Sequence, residues 1–267
     1  GSRPQTDWNS LIFSDLSPQT QHDVSISGGN DRTQYYIGLG YFFQEGFFKS
    51  GDLNYEKTNL RSNISTKIAN GLTFDLNLSG ILDKQHNPYS TSTDIIRNYW
   101  RQGVLFPAYA DHENTMLNYE GLDLEENTVA KMTSDISGYR EYGQKIFQSS
   151  AALNYDFASI SPILKGLSAK LLYSYDYREN NNSIFRKEYY QYAYNELTNT
   201  YDKKLYNSSS PNQLRREFFG KQQTLGQFLL NYNRSFNDHS ISGVVGLETQ
   251  KRTGDNWIVP RSIEESI

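Results

Sequence analysis

From Tyr35 to Phe43 every odd-numbered residue is large and apolar, while Gly38, Gly40 and Gln44 lie on the even positions. Side chains alternate faces along a strand, so a period of two commits this stretch to a sheet with one apolar face. The pattern recurs along the chain. Val24 and Ile26 share a face before the turn residues Gly28, Gly29, Asn30 and Asp31. Leu60, Ile64 and Ile68 stand against Arg61, Asn63, Ser65 and Lys67, and Leu72, Phe74, Leu76 and Leu78 against Thr73, Asp75, Asn77 and Ser79. Phe147, Ala151, Leu153, Tyr155 and Phe157 alternate with Gln148, Ser150, Asn154 and Asp156. Leu167 to Tyr177 repeats the scheme, broken only by Leu172, and Phe228 to Phe236 and Ile241 to Leu247 flank the turn Asn237-Asp238-His239.

These segments predict an all-β antiparallel meander of about eight strands, most of them roughly 11 to 14 residues long. Globular strands average about 5–6 residues, so these are near double length. Twelve residues at about 3.3 Å each, tilted by about 40°, rise roughly 30 Å, enough to cross a hydrocarbon layer. The connections alternate as well. Short turns fall at 28–32, 69–71, 158–166 and 237–239, and long ones at 45–56, 84–143, 179–222 and from 252 onward. A meander sends alternate connections to opposite ends, so one end carries tight turns and the other the bulk, as in outer-membrane barrels. Asn70-Gly71 supplies the positive φ that a tight hairpin requires. Tyr35, Phe42, Phe43, Tyr155, Phe157, Tyr175, Tyr177 and Phe236 lie near strand ends, where interfacial aromatics belong, although soluble sheets carry such ends too.

The alternative is a sandwich in which the apolar face packs on a second sheet. No strand from residue 57 onward reads as the continuous apolar run of a strand covered on both sides. The polar face must therefore meet water or a plug, which in a wide barrel means the lumen. Composition agrees with strands: 14% of residues are aromatic, with 21 Tyr and 14 Phe, although only 36% are hydrophobic. A net charge of −4 without basic clusters argues against nucleic acid as a partner. The absence of cysteine removes disulfides, thiolate metal sites and cysteine nucleophiles. Apolar runs of a few residues exclude a transmembrane helix. "GSRPQTDW" has no charged region followed by an apolar one, so no signal peptide is expected; the chain reads as cytosolic or as a mature or internal fragment.

Little in the sequence carries chemistry. His22, His86, His112 and His239 are scattered without ligand spacing. Asp111, Glu113 and the run Asp123 to Asn127 could offer oxygens to calcium, but they match no calcium-loop spacing and read as a solvated acidic loop. Gly38-Leu39-Gly40 lies within an alternating strand and is no phosphate cradle. Glu125 and Glu126 are adjacent without a cleft, so glycosidase chemistry is not supported. No catalytic residue, metal or cofactor is expected. The loop aromatics remain. Tyr99, Trp100, Tyr109, Tyr190 and Tyr192 are the five leading candidate platforms for sugar rings, with Tyr189 and Tyr194 as further candidates and packing between loops as the rival role for each. Residues 188–206 read as a hairpin turning near Leu197-Thr198-Asn199. Arg61, Asn63, Lys67, Asp75 and Asn77 are the candidates for a lumen-facing wall.

Two segments carry a family resemblance. "TDWNSLIF" at 6–13 and "HDVSISGGNDRTQYYIGLGYFFQEGFFKS" at 22–50 resemble the start of the barrel region in SusC-like, RagA-type TonB-dependent outer-membrane transporters of the Bacteroidetes. "DIIRNYW" with "LFPAY" at 94–109 looks like that family's large extracellular loop, and "KGLSAKLLYSYDY" and "HSISGVVGLE" look like its barrel strands. The resemblance implies a 22-stranded barrel, roughly the size known for plugged outer-membrane transporters, with an N-terminal plug. It also implies a SusD-like surface lipoprotein as partner, and import of oligosaccharides or peptides driven through TonB. With neither plug nor TonB box and only about eight strands, residues 1–267 read as part of the barrel domain. A porin-like passive channel and a soluble β-rich glycan-binding protein are the rival readings.

Overall fold

The computed structural model describes residues 5–122, 126–206, 213–254 and 261–266. The alternating stretches become strands β1 (Gln19–Gly29), β2 (Thr33–Glu45), β3 (Asn54–Ala69), β4 (Leu72–Pro88), β5 (Gly138–Asp156) and β6 (Leu167–Arg186). After a separate hairpin, β7 (Tyr189–Asn195) with β8 (Thr200–Tyr206), follow β9 (Gln213–Phe236), β10 (His239–Thr253) and β11 (Arg261–Ser266). The main sheet runs β1-β2-β3-β4-β5-β6-β9-β10, with every pair antiparallel and β11 also on β9. The β7–β8 hairpin turns where the sequence placed it. β1 and β10 are each paired on one side only among the described residues, so the sheet is open.

Several strands outrun the alternation that announced them. β4 continues to Pro88, β5 begins at Gly138, β6 ends at Arg186, and β9 spans 24 residues. The added segments pair in unbroken register, for instance Gln85↔Tyr142 and Asn181↔Phe218. Both of their faces are largely polar, as in Lys84-Gln85 and Glu179-Asn180-Asn181-Asn182. The period-two signal therefore vanishes there while backbone hydrogen bonding goes on.

Short turns close one end. Asn30 accepts hydrogen bonds from the backbone N–H groups of Arg32 and Thr33, both at 2.8 Å, which fixes the β1–β2 turn. Gly71 has φ +73°, and a Cβ there would lie 2.7 Å from the Asp156 carbonyl oxygen, so the β3–β4 turn needs glycine for both conformation and space. The β5–β6 connection winds through two 3₁₀ turns, Phe157–Ser159 and Pro162–Leu164.

The register assigns the faces. Arg61 lies opposite Ser79, Asn63 opposite Asn77, Ser65 opposite Asp75 and Lys67 opposite Thr73, so the five wall candidates share one polar face. On the other face no Asp, Glu, Lys or Arg occurs from Leu72 to Leu82 on β4, Phe147 to Tyr155 on β5 or Leu167 to Tyr177 on β6. Eleven residues of β4 at about 3.3 Å, tilted by about 40°, make a charge-free band roughly 25 Å tall. Lys84–Glu141 and Lys145–Glu179 ion pairs mark its upper edge. Phe42 departs from the expected girdle. It lies on the polar face, its ring 6.0 Å from that of Tyr55, because it is an even residue in a strand whose odd residues are apolar.

The buried core sits in a cap above the sheet, built by the long connections at the other end. It joins α1 (Trp8–Ile12), α2 (Ser92–Arg101), α3 (Thr128–Met132) and α4 (Ser134–Ser137) through Trp8, Ile12, Phe48, Ile95, Leu117, Val129 and Met132. Period-two reading left these segments as loops, yet two short helical patterns are visible in them. Asp7 caps α1 by accepting from the Ser10 N–H at 3.1 Å, and Thr91 caps α2 by accepting from the Asp94 N–H at 3.2 Å.

Candidate functional site

The cap is held by buried amides rather than by regular structure. Asn127, fully buried, donates to the Ala108 and Asn118 carbonyls at 2.7 and 3.0 Å and accepts from the Val129 N–H at 3.0 Å. Asn98 on α2 and Gln102 at its C-cap both donate to the Glu126 carbonyl and to the Thr128 hydroxyl. Each side chain satisfies backbone groups that irregular chain would otherwise leave unpaired in a dry interior. Trp8 closes the same core, its indole N–H donating to the Gly103 carbonyl at 3.3 Å. This contact explains the Asp-Trp pair read from the sequence: one residue starts a helix, and the next locks it into the cap.

The cap separates the five aromatic candidates. Tyr99 packs inward, edge-on to Phe13 with ring centroids 4.9 Å apart. Its neighbour Trp100 is 78% exposed. Tyr109 is half-buried and bridges to Leu117. Tyr192 is half-buried in the β7 backbone, which seats the hairpin through its N–H on the Leu117 carbonyl at 2.7 Å. Tyr190 is exposed beneath the Lys203 ammonium, 5.0 Å from the ring centroid. Trp100 is thus open to a ligand and Tyr190 is exposed with the Lys203 ammonium over one ring face, whereas Tyr99 serves the cap.

At the hairpin base Tyr189 and Tyr206 stack at 5.8 Å with planes 19° apart. Burial, reinforced by Tyr189, Tyr119 and Glu126, pushes the Tyr206 hydroxyl up to about 12. Burial raises Tyr189 as well, with Glu126 adding to the effect. Thr91 donates to Asp94 at 2.6 Å and holds its carboxyl below the usual range, with Arg97, Lys131 and Arg140 helping. Asp111 is occupied by its own turn, accepting from the Thr115 and Met116 N–H groups and the Thr115 hydroxyl. No group of three potential metal ligands occurs among the described residues, and residues 123–125 of the acidic run lie outside them.

On the polar face, Arg61, Asn63 and Asn77 line a hollow of about 240 Å³ with Gln148, Ser150 and Asp176. Asn63, Asp75 and Asn77 also border a second of about 600 Å³ with Lys170. Asp75 accepts from Ser65 and Asn154, both at 2.6 Å, and Asn77 donates to Ser150 at 3.2 Å. Lys67 borders neither hollow. The sequence shows the polar parity of Gln148, Ser150, Lys170 and Asp176 but does not mark them as wall residues, because cross-strand register is what brings them to β3 and β4.

A charge-free band on one face, polar hollows on the other and a one-sided cap define what this chain can be compared with. TonB-dependent receptors P39 and P3 of Formosa agariphila are each 22% identical to it, over 88% and 92% of its length. TonB-dependent receptor P26 of the same organism is 36% identical over 85 residues. In sequence the chain is similar to TonB-dependent receptors. It spans between 8% and 23% of the length of these relatives. Among solved structures it matches the RagAB peptide importer in its closed-closed state, with a TM-score of 0.63 at 18% identity, covering 98% of this chain and 30% of that one. The open-open state gives a TM-score of 0.64 at 19% identity. That likeness bears out the barrel-wall fold and the RagA-type resemblance read from residues 6–50. No family model matches.

Proposed function

We propose that this chain forms part of the barrel wall and the outer vestibule of a TonB-dependent transporter that imports nutrients across the outer membrane. The charge-free band carries the reading. It runs across consecutive strands at the height of a hydrocarbon layer, while the opposite face keeps Arg, Asn and Asp in contact with water. A soluble sandwich would have to cover that band with a second sheet, and a porin-like channel would not explain sequence similarity to TonB-dependent receptors.

Oligosaccharides are the proposed cargo. Trp100 and Tyr190 offer flat apolar faces for sugar rings, and the amides and Arg61 of the polar face suit hydroxyl groups. A peptide cargo is the second reading, favoured by the fold neighbour whose solved structure is that of a peptide importer. The proposed partners are a SusD-like surface lipoprotein over the cap and the TonB complex through parts of the intact protein beyond this chain. The proposed location is the cell outer membrane. Growth of a deletion strain on a panel of glycans and peptides, with binding measured for the isolated partner complex, tests the assignment. Loss of growth on particular glycans is the expected result; loss confined to peptides would move the cargo to the second reading, and unchanged growth throughout would refute import.

A further inference from the structure

The apolar face holds a hollow of about 600 Å³ at the upper edge of its charge-free band. Three cross-strand rows form it. In the middle row Lys84 faces Gly143, Gly143 faces Asn181, and Asn181 faces Phe218. Leu82 and Lys145 stand opposite each other just below, and Glu141, Ser183 and Arg216 follow one another just above. Gly143 keeps the hollow open: a Cβ there would have only the Asn181 and Asp83 carbonyl oxygens within reach, at 3.2 and 4.0 Å. Asp83 and Gln144 border it too, but the register turns their side chains to the other face.

The lining pairs apolar walls with an excess of positive charge. Lys84 and Lys145 are 57% and 61% exposed even while bridged to Glu141 and Glu179. Arg216 is exposed and forms no ion pair among the described residues. We propose that this hollow binds the phosphate-bearing headgroup of a membrane lipid, with Lys84, Lys145 and Arg216 on the phosphate and the acyl chains running down past Leu82 and Phe147. Charge complementarity and continuity with the charge-free band single out a lipid. Cationic side chains donate charge-assisted hydrogen bonds to phosphate, and the band immediately below is where acyl chains would lie. The inference rests on reading that band as lipid-facing.

The test uses the full-length transporter in nanodiscs of phosphatidylcholine, either alone, with added phosphatidylglycerol, or with inorganic phosphate. Melting temperature and lipids retained in native mass spectrometry are read for the wild type and for Lys145→Gln, Arg216→Gln and Gly143→Phe. Phosphatidylglycerol is expected to raise the wild-type melting temperature and to be retained, the glutamine variants to lower both effects, and the phenylalanine to abolish them by filling the hollow. If Gly143→Phe fails to fold, the exposed Arg216→Gln decides. Equal retention by wild type and Arg216→Gln overturns the proposal, as does an equal shift from inorganic phosphate, which would mark a free-anion site. Recovery of the full-length protein as a detergent-free soluble monomer would refute the membrane reading itself, an outcome distinct from a membrane-embedded protein that shows no lipid preference.

Discussion

At the scale of single residues the cap is where substitutions should be costly. Trp8 is 4% exposed in the cap core, so Trp8→Ala should cost about 3–5 kcal/mol, read as earlier unfolding and faster proteolysis between residues 89 and 137. Asn127→Ala leaves the Asn118 carbonyl and the Val129 N–H unpaired, the Ala108 carbonyl keeping the Asn118 N–H, and should cost about 1–3 kcal/mol by the same assay. The two neighbouring aromatics on α2 should separate: Tyr99→Ala should loosen the cap, whereas Trp100→Ala should weaken cargo binding in the intact transporter and leave its melting temperature unchanged. Tyr206 supplies a pH prediction. Its folded hydroxyl titrates near 12, above the ordinary 10, so the folded state holds a proton that the unfolded state has lost between these values. Its stabilisation is complete below pH 10 and disappears as pH rises towards 12, and Tyr206→Phe should flatten that part of the stability profile. The sequence did not separate Tyr99 from Trp100, because adjacent residues on a helix point to different surfaces and the helix itself was unforeseen.

At the scale of elements, legibility followed periodicity. Strands were recognisable wherever one face was apolar and the other polar, as from Leu72 to Leu82, and their turns were marked by Asn30, Asn70-Gly71 and Asn237. Their upper extensions were not, because Gln85, Asn87, Gln144 and Asn180 continue the ladder with polar residues on both faces. The cap was hidden for another reason. Its helices are 4 to 10 residues long and its core is assembled from positions as distant as Ile12 and Met132, so no local window records it. Only the caps, Asp7, Thr91 and Asn127, were there to be read. Thr91→Ala should cost about 1 kcal/mol. Asp94 adds to the stability of α2 above the ordinary carboxylate value, and this contribution is lost as pH falls through its lowered one.

At the scale of the molecule, one sheet separates two environments. The even residues of β4 and odd residues of β5 and β6 carry no charge over the band, whereas the opposite parity carries Asp75, Lys170 and Asp176. A one-residue slip of any strand would exchange these sets, so the register is specified by the two solvents together. Leu76→Arg, at the middle of the band, should therefore destabilise the intact barrel by about 2–4 kcal/mol, while Asn77→Arg on the facing side should be tolerated. The most direct measurement is spin-label accessibility in the reconstituted full-length transporter, since this segment contributes no cysteine of its own. Labels at Ile64, Leu76 and Leu171 should collide with oxygen and be shielded from a water-soluble nickel relaxant, and labels at Asn63, Asn77 and Ser174 should show the reverse. Equal access of the nickel reagent to Leu76 and Asn77 would contradict the account.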